Sequence, residues 1–119
     1  MSNYVLVTGG AGYIGSHSVL ALMEAGYNPI VLDNFSNSSR ESISGIEKIY
    51  GAGPVVIEGD VGNSSLLMDI FLSYDVESVL HFSGLKSVEE SMADPLKYYS
   101  ENVGSSLSLL RTMQEANIQ

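Results

Sequence analysis

Tyr4-Val5-Leu6-Val7-Thr8-Gly9-Gly10-Ala11-Gly12-Tyr13-Ile14-Gly15 is the stretch from which the rest of the chain can be read. Its first residues are a short apolar run, β-branched at Val5 and Val7, the pattern of a strand buried on both faces. Gly9, Gly12 and Gly15 follow at intervals of three, and a helical pattern starts among them. Each glycine has its own task in a strand–turn–helix that holds a pyrophosphate. Gly9 allows the sharp turn, Gly12 leaves room for a phosphate against the backbone, and Gly15 lets the helix pack closely. The phosphates would rest on free N–H groups at the positive end of the helix dipole.

A second signal completes the first. Ile30-Val31-Leu32 is another apolar run, and it ends in Asp33, 18 residues after Gly15. A carboxylate at the end of the second strand can accept the hydroxyls of an adenosine ribose and repel a 2′-phosphate. Asn34 follows it, with no arginine directly after, so the expected cofactor is NAD rather than NADP.

Composition narrows the field. The chain has 119 residues, 45% of them hydrophobic and 16% charged, enough for one domain with a packed core. Its net charge is −9, with Arg40, Lys48, Lys86, Lys97 and Arg111 as its cations, so it lacks the basic footprint that nucleic acid requires. An anionic cofactor must then be held mainly by backbone donors. Cysteine is absent, which excludes disulfides and thiolate chemistry. No apolar run reaches a membrane span and no signal peptide is evident, so a cytoplasmic location is expected. Asn37-Ser38-Ser39 and Asn63-Ser64-Ser65 fit the glycosylation sequon, but nothing supports that use.

Strand and helix alternate along the chain. A helix is expected from Tyr13 to about Gly26, with Ile14, Val19, Leu22 and Met23 inward and Gly15, Ser18 and Ala21 on a small-residue face. Pro29 to Asp33 is the second strand, and Ser42 or Ser44 is expected to cap a short helix ending near Tyr50. Val55 to Glu58 is the third strand. Asp60, at its carboxyl end, serves equally well as a turn residue or as a ligand. Asn63 caps a helix carrying Leu66, Leu67, Ile70 and Phe71. Val76 to Ser83 is the fourth strand, with His81 as a core or strand-end histidine and His17 as a packed or hydrogen-bonded helix histidine. In the exit loop Lys86 reads as a phosphate or ribose contact or as a solvated surface lysine. Asp94-Pro95 opens a long helix with Val103, Leu107, Leu110 and Met113 along one side.

This alternation implies an α/β fold, a Rossmann-like doubly wound parallel sheet of strand order 3-2-1-4 with helices on both faces. Residues 1–119 form one dinucleotide-binding domain in this reading. The glycine loop, Asp33, Asp60 and the Phe82–Lys86 loop share one edge of that sheet, at its topological switch point. The fourth strand is apolar and carries no lysine or proline, so its open edge is expected to drive self-association.

The same residues closely resemble the UDP-glucose 4-epimerases of the extended short-chain dehydrogenase/reductase family. Val5 to His17 fits that family's opening. More specific is His81-Phe82-Ser83-Gly84-Leu85-Lys86-Ser87-Val88-Glu89-Glu90-Ser91, followed by Pro95-Leu96-Lys97-Tyr98-Tyr99 and Asn102. The epimerases usually read His-Phe-Ala-Gly-Leu-Lys-Ala-Val-Gly-Glu-Ser there, so Ser83, Ser87 and Glu89 depart from the pattern. Glu89 adds a side chain and a charge on the substrate side. The resemblance covers essentially the whole chain and implies NAD contacts from Gly9, Gly12, Tyr13, Ile14, Asp33, Asn34, Asn37, Ser38, Asp60, Val61, Phe82, Ser83, Gly84, Lys86 and Asn102. It also implies a nucleotide-sugar substrate for the longer protein. The implied reaction is a transient oxidation at C4 of the hexose with NAD as hydride carrier, turnover of the 4-keto sugar, and reduction on its other face. A tyrosine with a lysine four residues on handles the C4 hydroxyl proton in that family. None of the seven tyrosines here has a lysine at that spacing, and a sugar-binding domain is missing as well. The chain therefore looks like the N-terminal part of an epimerase, without catalytic residues or a metal site. Rival readings are another nucleotide-sugar dehydratase or decarboxylase, a stand-alone NAD-binding regulatory module, and a methyltransferase.

Overall fold

The computed structural model describes residues 3–35, 40–82 and 95–118, and within the last span the side chains of 96 and 103–118. Four strands, β1 (Tyr4–Thr8), β2 (Asn28–Asp33), β3 (Val55–Glu58) and β4 (Val76–His81), form one parallel sheet in the order β3-β2-β1-β4. Among the described residues four helices connect or follow them: α1 (Tyr13–Glu24), α2 (Glu41–Tyr50), α3 (Ser64–Ser73) and α4 (Pro95–Glu115). The expected doubly wound sheet is therefore present, in the expected order.

Side-chain alternation along β1 and β2 divides the interior in two. Val5, Val7 and Val31 point to one face, where Val19 and Met23 of α1 and Ile43 and Ile46 of α2 cover them. Leu6, Ile30 and Leu32 point to the other, against Leu67, Ile70 and Phe71 of α3 and Leu109 of α4. Because strands β1 and β2 are covered on both sides, they read as unbroken apolar runs instead of alternating ones. The connections through α1 and α2 build one layer; the one through α3 returns across the opposite face and places β4 beside β1. This reversal creates the switch point.

Helix ends follow from local chemistry. At the end of α1, Gly26 takes φ +92°, and the Gly26 and Tyr27 N–H groups donate to the carbonyls of Met23 and Leu22 at 3.1 and 2.9 Å. This is a Schellman closure, with glycine in the left-handed position. The Asn63 side chain accepts from the Leu66 N–H at 3.1 Å and starts α3 as expected.

Several local expectations are corrected. Neither Ser42 nor Ser44 caps α2. The cap position is Arg40, without a side-chain cap bond, and both serines lie within the helix. Strand β4 ends at His81, before Ser83. In α1, Ile14 and Ala21 are exposed. In α4, Val103, Leu107 and Leu110 face outward, while Leu109 and Thr112 are buried and Met113 is half-buried. The face turned to the core carries Leu109, Thr112 and Met113, and packing of Leu109 with Leu67, Ile70 and Phe71 of α3 selects it. The Asp94 cap lies outside the described residues.

Candidate functional site

All four strands run parallel, so their carboxyl ends lie together: Thr8, Asp33 and Glu58 at the ends of β1, β2 and β3, and His81 at the end of β4. The loops that leave these ends build the site.

The first loop is tightly wound. Gly9 adopts φ +69°, a conformation costly for any residue with a Cβ, and its N–H donates to the Leu32 carbonyl at 2.8 Å. The chain then turns back, with the Gly12 N–H donating to the Gly9 carbonyl at 3.1 Å. A methyl group at Gly15 would lie 2.2 Å from that same carbonyl oxygen, so glycine is sterically required there. Gly15 thus serves the packing of helix on turn, a closer constraint than packing of helix on strand. A methyl at Gly12 would lie 3.3 Å from the Gly9 oxygen, so that oxygen would have to give by a few tenths of an ångström. Gly10 is a further constrained position, which spacing alone did not single out. A methyl there would meet the Val31 side chain at 2.9 Å.

No side chain caps α1. The first intrahelical bond in this turn is Ser16 N–H to the Gly12 carbonyl, at 2.8 Å, which leaves the preceding first-turn N–H groups directed out of the helix end. Tyr13 and Ile14, which carry two of these groups, have side chains that are 82% and 57% exposed. Backbone donors at the positive end of a dipole suit a pyrophosphate, and the net charge elsewhere leaves little competing attraction for anions.

Asp33 joins this loop to the next. It is only 8% exposed, and its two carboxylate oxygens accept from the Ala11 N–H at 3.1 Å and the Phe35 N–H at 2.8 Å. A buried carboxylate needs such partners. The bonds aim it at the space beside the glycine loop, where a ribose attached to a loop-bound pyrophosphate would lie. Helix α2 adds a brace, since the Ser42 hydroxyl donates to the Ala11 carbonyl at 2.7 Å. Ala11 is thus gripped at both its N–H and its carbonyl. Neither contact was legible from residue type, because alanine carries no chemical signal and Ser42 read as a cap.

The remaining expected residues fall on the same edge or outside the described span. Asn34 follows Asp33 and is exposed. Asp60 leaves β3, and its carboxylate accepts from the Gly62 N–H at 2.9 Å, as a turn residue does. The Val61 side chain is buried in the core with α3, so a ligand would meet its main chain. Phe82 leaves β4, and its N–H donates to both the carbonyl and the hydroxyl of Thr8, at 2.9 and 3.1 Å. The fully buried Thr8 hydroxyl also shares a hydrogen bond with His81 Nδ1, and His81 Nε2 lies 3.1 Å from the Ser106 hydroxyl. His81 is therefore a strand-end histidine linking β1, β4 and α4. Asn37, Ser38, Ser83, Gly84 and Lys86 lie outside the described residues, and Asn102 is placed only as part of α4. Among the described residues no acidic, histidine or cysteine cluster could hold a metal, and no helix is long and apolar enough to cross a membrane.

A doubly wound parallel sheet with a glycine turn and a buried acid at its switch point defines the Rossmann-like class. Within it, the chain belongs to the GDP-mannose 4,6 dehydratase family, whose profile matches residues 6–119. It is 51% identical over 115 residues to UDP-glucose 4-epimerase of Yersinia enterocolitica, covering 97% of this chain and 34% of that protein. The fold superposes with TM-score 0.94 and 39% identity on UDP-glucose 4-epimerase of Stenotrophomonas maltophila, a structure with bound NAD and formylated UDP-arabinopyranose. It superposes with TM-score 0.93 and 40% identity on the Bifidobacterium longum enzyme in complex with NAD+ and UDP. Each structural match covers 98% of this chain, and 34% and 35% respectively of the other. The chain spans about a third of the length of these relatives.

The two loop glycines should separate in a stability test. Gly15→Ala forces the turn off the helix and should cost about 2–3 kcal/mol, as overpacking does, whereas Gly12→Ala should cost about 1 kcal/mol. Urea unfolding followed by circular dichroism measures both; equal losses would mean that the Gly9–Gly15 contact does not constrain the turn.

Proposed function

We propose that this chain is the NAD-binding, N-terminal portion of a UDP-glucose 4-epimerase, acting in galactose metabolism in the cytoplasm. The observation that carries the NAD assignment is the buried Asp33 carboxylate, anchored on the glycine loop and able to accept ribose hydroxyls. The epimerase assignment rests on the likeness over 97% of the chain to a UDP-glucose 4-epimerase.

In this reading the first-turn N–H groups of α1 carry the pyrophosphate, with Gly9 and Gly12 shaping the loop beneath it. Asp33 and Asn34 take the adenosine ribose, aided by Asn37 and Ser38. Asp60 and the Val61 main chain line the adjoining loop. Phe82, Ser83, Gly84, Lys86 and Asn102 serve the remainder of the cofactor from the β4 side. NAD, when bound, supplies the hydride acceptor and donor that C4 epimerisation needs. The nucleotide sugar would be bound by the longer protein. The 119 residues contain no Tyr-x-x-x-Lys pair, so the groups that move the C4 proton would lie in the longer protein; a second reading is an NAD-binding module without a reaction of its own.

NAD should bind more tightly than NADP, since a 2′-phosphate would meet the Asp33 carboxylate. Asp33→Ala should weaken NAD and narrow the difference. Calorimetric titration of both cofactors decides, and a preference for NADP would remove Asp33 from the ribose site.

Assayed alone, the 119-residue chain should not interconvert UDP-glucose and UDP-galactose, because proton transfer at the C4 hydroxyl needs a positioned group of suitable pKa. Turnover by a preparation free of host epimerase would overturn this. Inactivity in a longer protein that carries the Tyr–Lys pair would favour the module.

Self-association of the chain is part of the proposal. β4 is an edge of the sheet, Leu80 on it is 36% exposed, and Val103, Leu107 and Leu110 of α4 are 38, 47 and 60% exposed. Unpaired strand edges and apolar surface both favour pairing with another chain. Light scattering over a concentration series should show dimers or larger species; a monomer at every concentration would refute it.

A further inference from the structure

Arg40 and Glu58 stand at the same sheet edge as Asp33, and no motif assigns them a role. Arg40 Nη2 donates to Glu58 Oε1 at 2.7 Å, the one ion pair among the described residues. The Arg40 guanidinium carbon also lies 4.5 Å from the centre of the Phe35 ring, a cation–π distance. Phe35 is two residues beyond Asp33, and its N–H donates to the Asp33 carboxylate. Its φ of +57° is unusual for a side chain of that size, and such strain persists only where neighbours hold it in place. Glu58 reaches the same place across the sheet. It pairs in register with Asp33, and the Gly59 N–H donates to the Asp33 carbonyl at 3.0 Å.

A guanidinium is the side chain best matched to a phosphate, and an arginine beside the second strand is how a Rossmann-like site accepts a 2′-phosphate. This chain thus carries, within reach of one strand end, the acid that selects NAD and a cation able to select NADP. We propose that Glu58 is a specificity-determining residue: it keeps the Arg40 guanidinium engaged against Phe35 and so withholds it from the 2′-phosphate of NADP. Discrimination against NADP then has two parts, repulsion by Asp33 and occupation of Arg40 by Glu58. The inference rests on the reading of this edge as a dinucleotide site. The pair is solvent-exposed, 61% at Arg40 and 63% at Glu58, so its grip is modest and its substitution should leave the fold intact.

The test is calorimetric titration of the chain with NAD and with NADP, for the parent and for the Glu58→Gln, Arg40→Ala and doubly substituted variants. Glu58→Gln should raise the ratio of NADP to NAD affinity by about fivefold, the scale set by an exposed ion pair. That gain should vanish in Arg40→Ala/Glu58→Gln, because the released group is the arginine. A gain that survives loss of Arg40 would overturn the proposal and assign the effect to the Glu58 charge acting directly on the phosphate. An unmoved ratio with normal NAD binding would overturn it as well, leaving the dinucleotide reading intact. Failure of the parent chain to bind NAD would overturn both, and failure of the variants alone would overturn the proposal.

Discussion

A buried carboxylate must be satisfied by the protein around it, and in this chain that requirement organises the site. Asp33 lies at the end of β2, nearly closed to solvent, and its oxygens take N–H groups from the glycine loop on one side and from Phe35 on the other. Neither of those N–H groups belongs to a helix or a strand ladder. Leaving either unmatched would cost about 1–3 kcal/mol, so loop and carboxylate hold each other in place. The position of the acid is thus set by the turn, and the turn is braced by the acid. A ligand spanning the two would find its contacts prearranged, with little ordering cost left to binding.

The turn is constrained from the other direction by contact without charge. Gly15 of α1 approaches the Gly9 carbonyl closely enough that no side chain fits between them. Helix α1 can then start directly above the end of β1, and its first N–H groups open onto the sheet edge. Ser42 adds a tether from α2 to the same loop. Both helices that cover the Val5–Val7 face therefore reach the site, and packing of that face is coupled to its geometry. The opposite layer reaches it through another path, from Thr8 through His81 to Ser106 of α4.

Charge is used sparingly at this edge. The chain is strongly acidic, and the structure opposes backbone donors, not a field of cations, to an anionic ligand. The cation that stands closest in sequence to Asp33 among the described residues, Arg40, is paired with Glu58 and stacked on Phe35. An exposed ion pair of this kind contributes little to stability. Its interest lies in where it sits, across the ends of β2 and β3.

The sheet, its order and the ends of its first three strands were legible in the chain because they depend on short-range chemistry. Apolar runs of the right length make buried strands. Glycine at Gly26 accepts the left-handed conformation that stops α1, and the Asn63 side chain reaches the first turn of its own helix. Gly9, Gly15 and Asp33 were legible because spacing along one strand–turn–helix carries their geometry. What needed the tertiary structure was every contact made between segments distant in sequence. Val103, Leu107 and Leu110 have helical spacing as good as that of the buried stripe, and only the position of α3 decides that Leu109 and Thr112 turn inward. Ser42 has the chemistry of a cap, yet its hydroxyl goes to Ala11, 31 residues away. Arg40 and Glu58 meet across 18 residues because parallel pairing of β2 with β3 brings Glu58 level with Asp33. Local propensity is a property of a segment and can be read from it; a partner is a property of the fold.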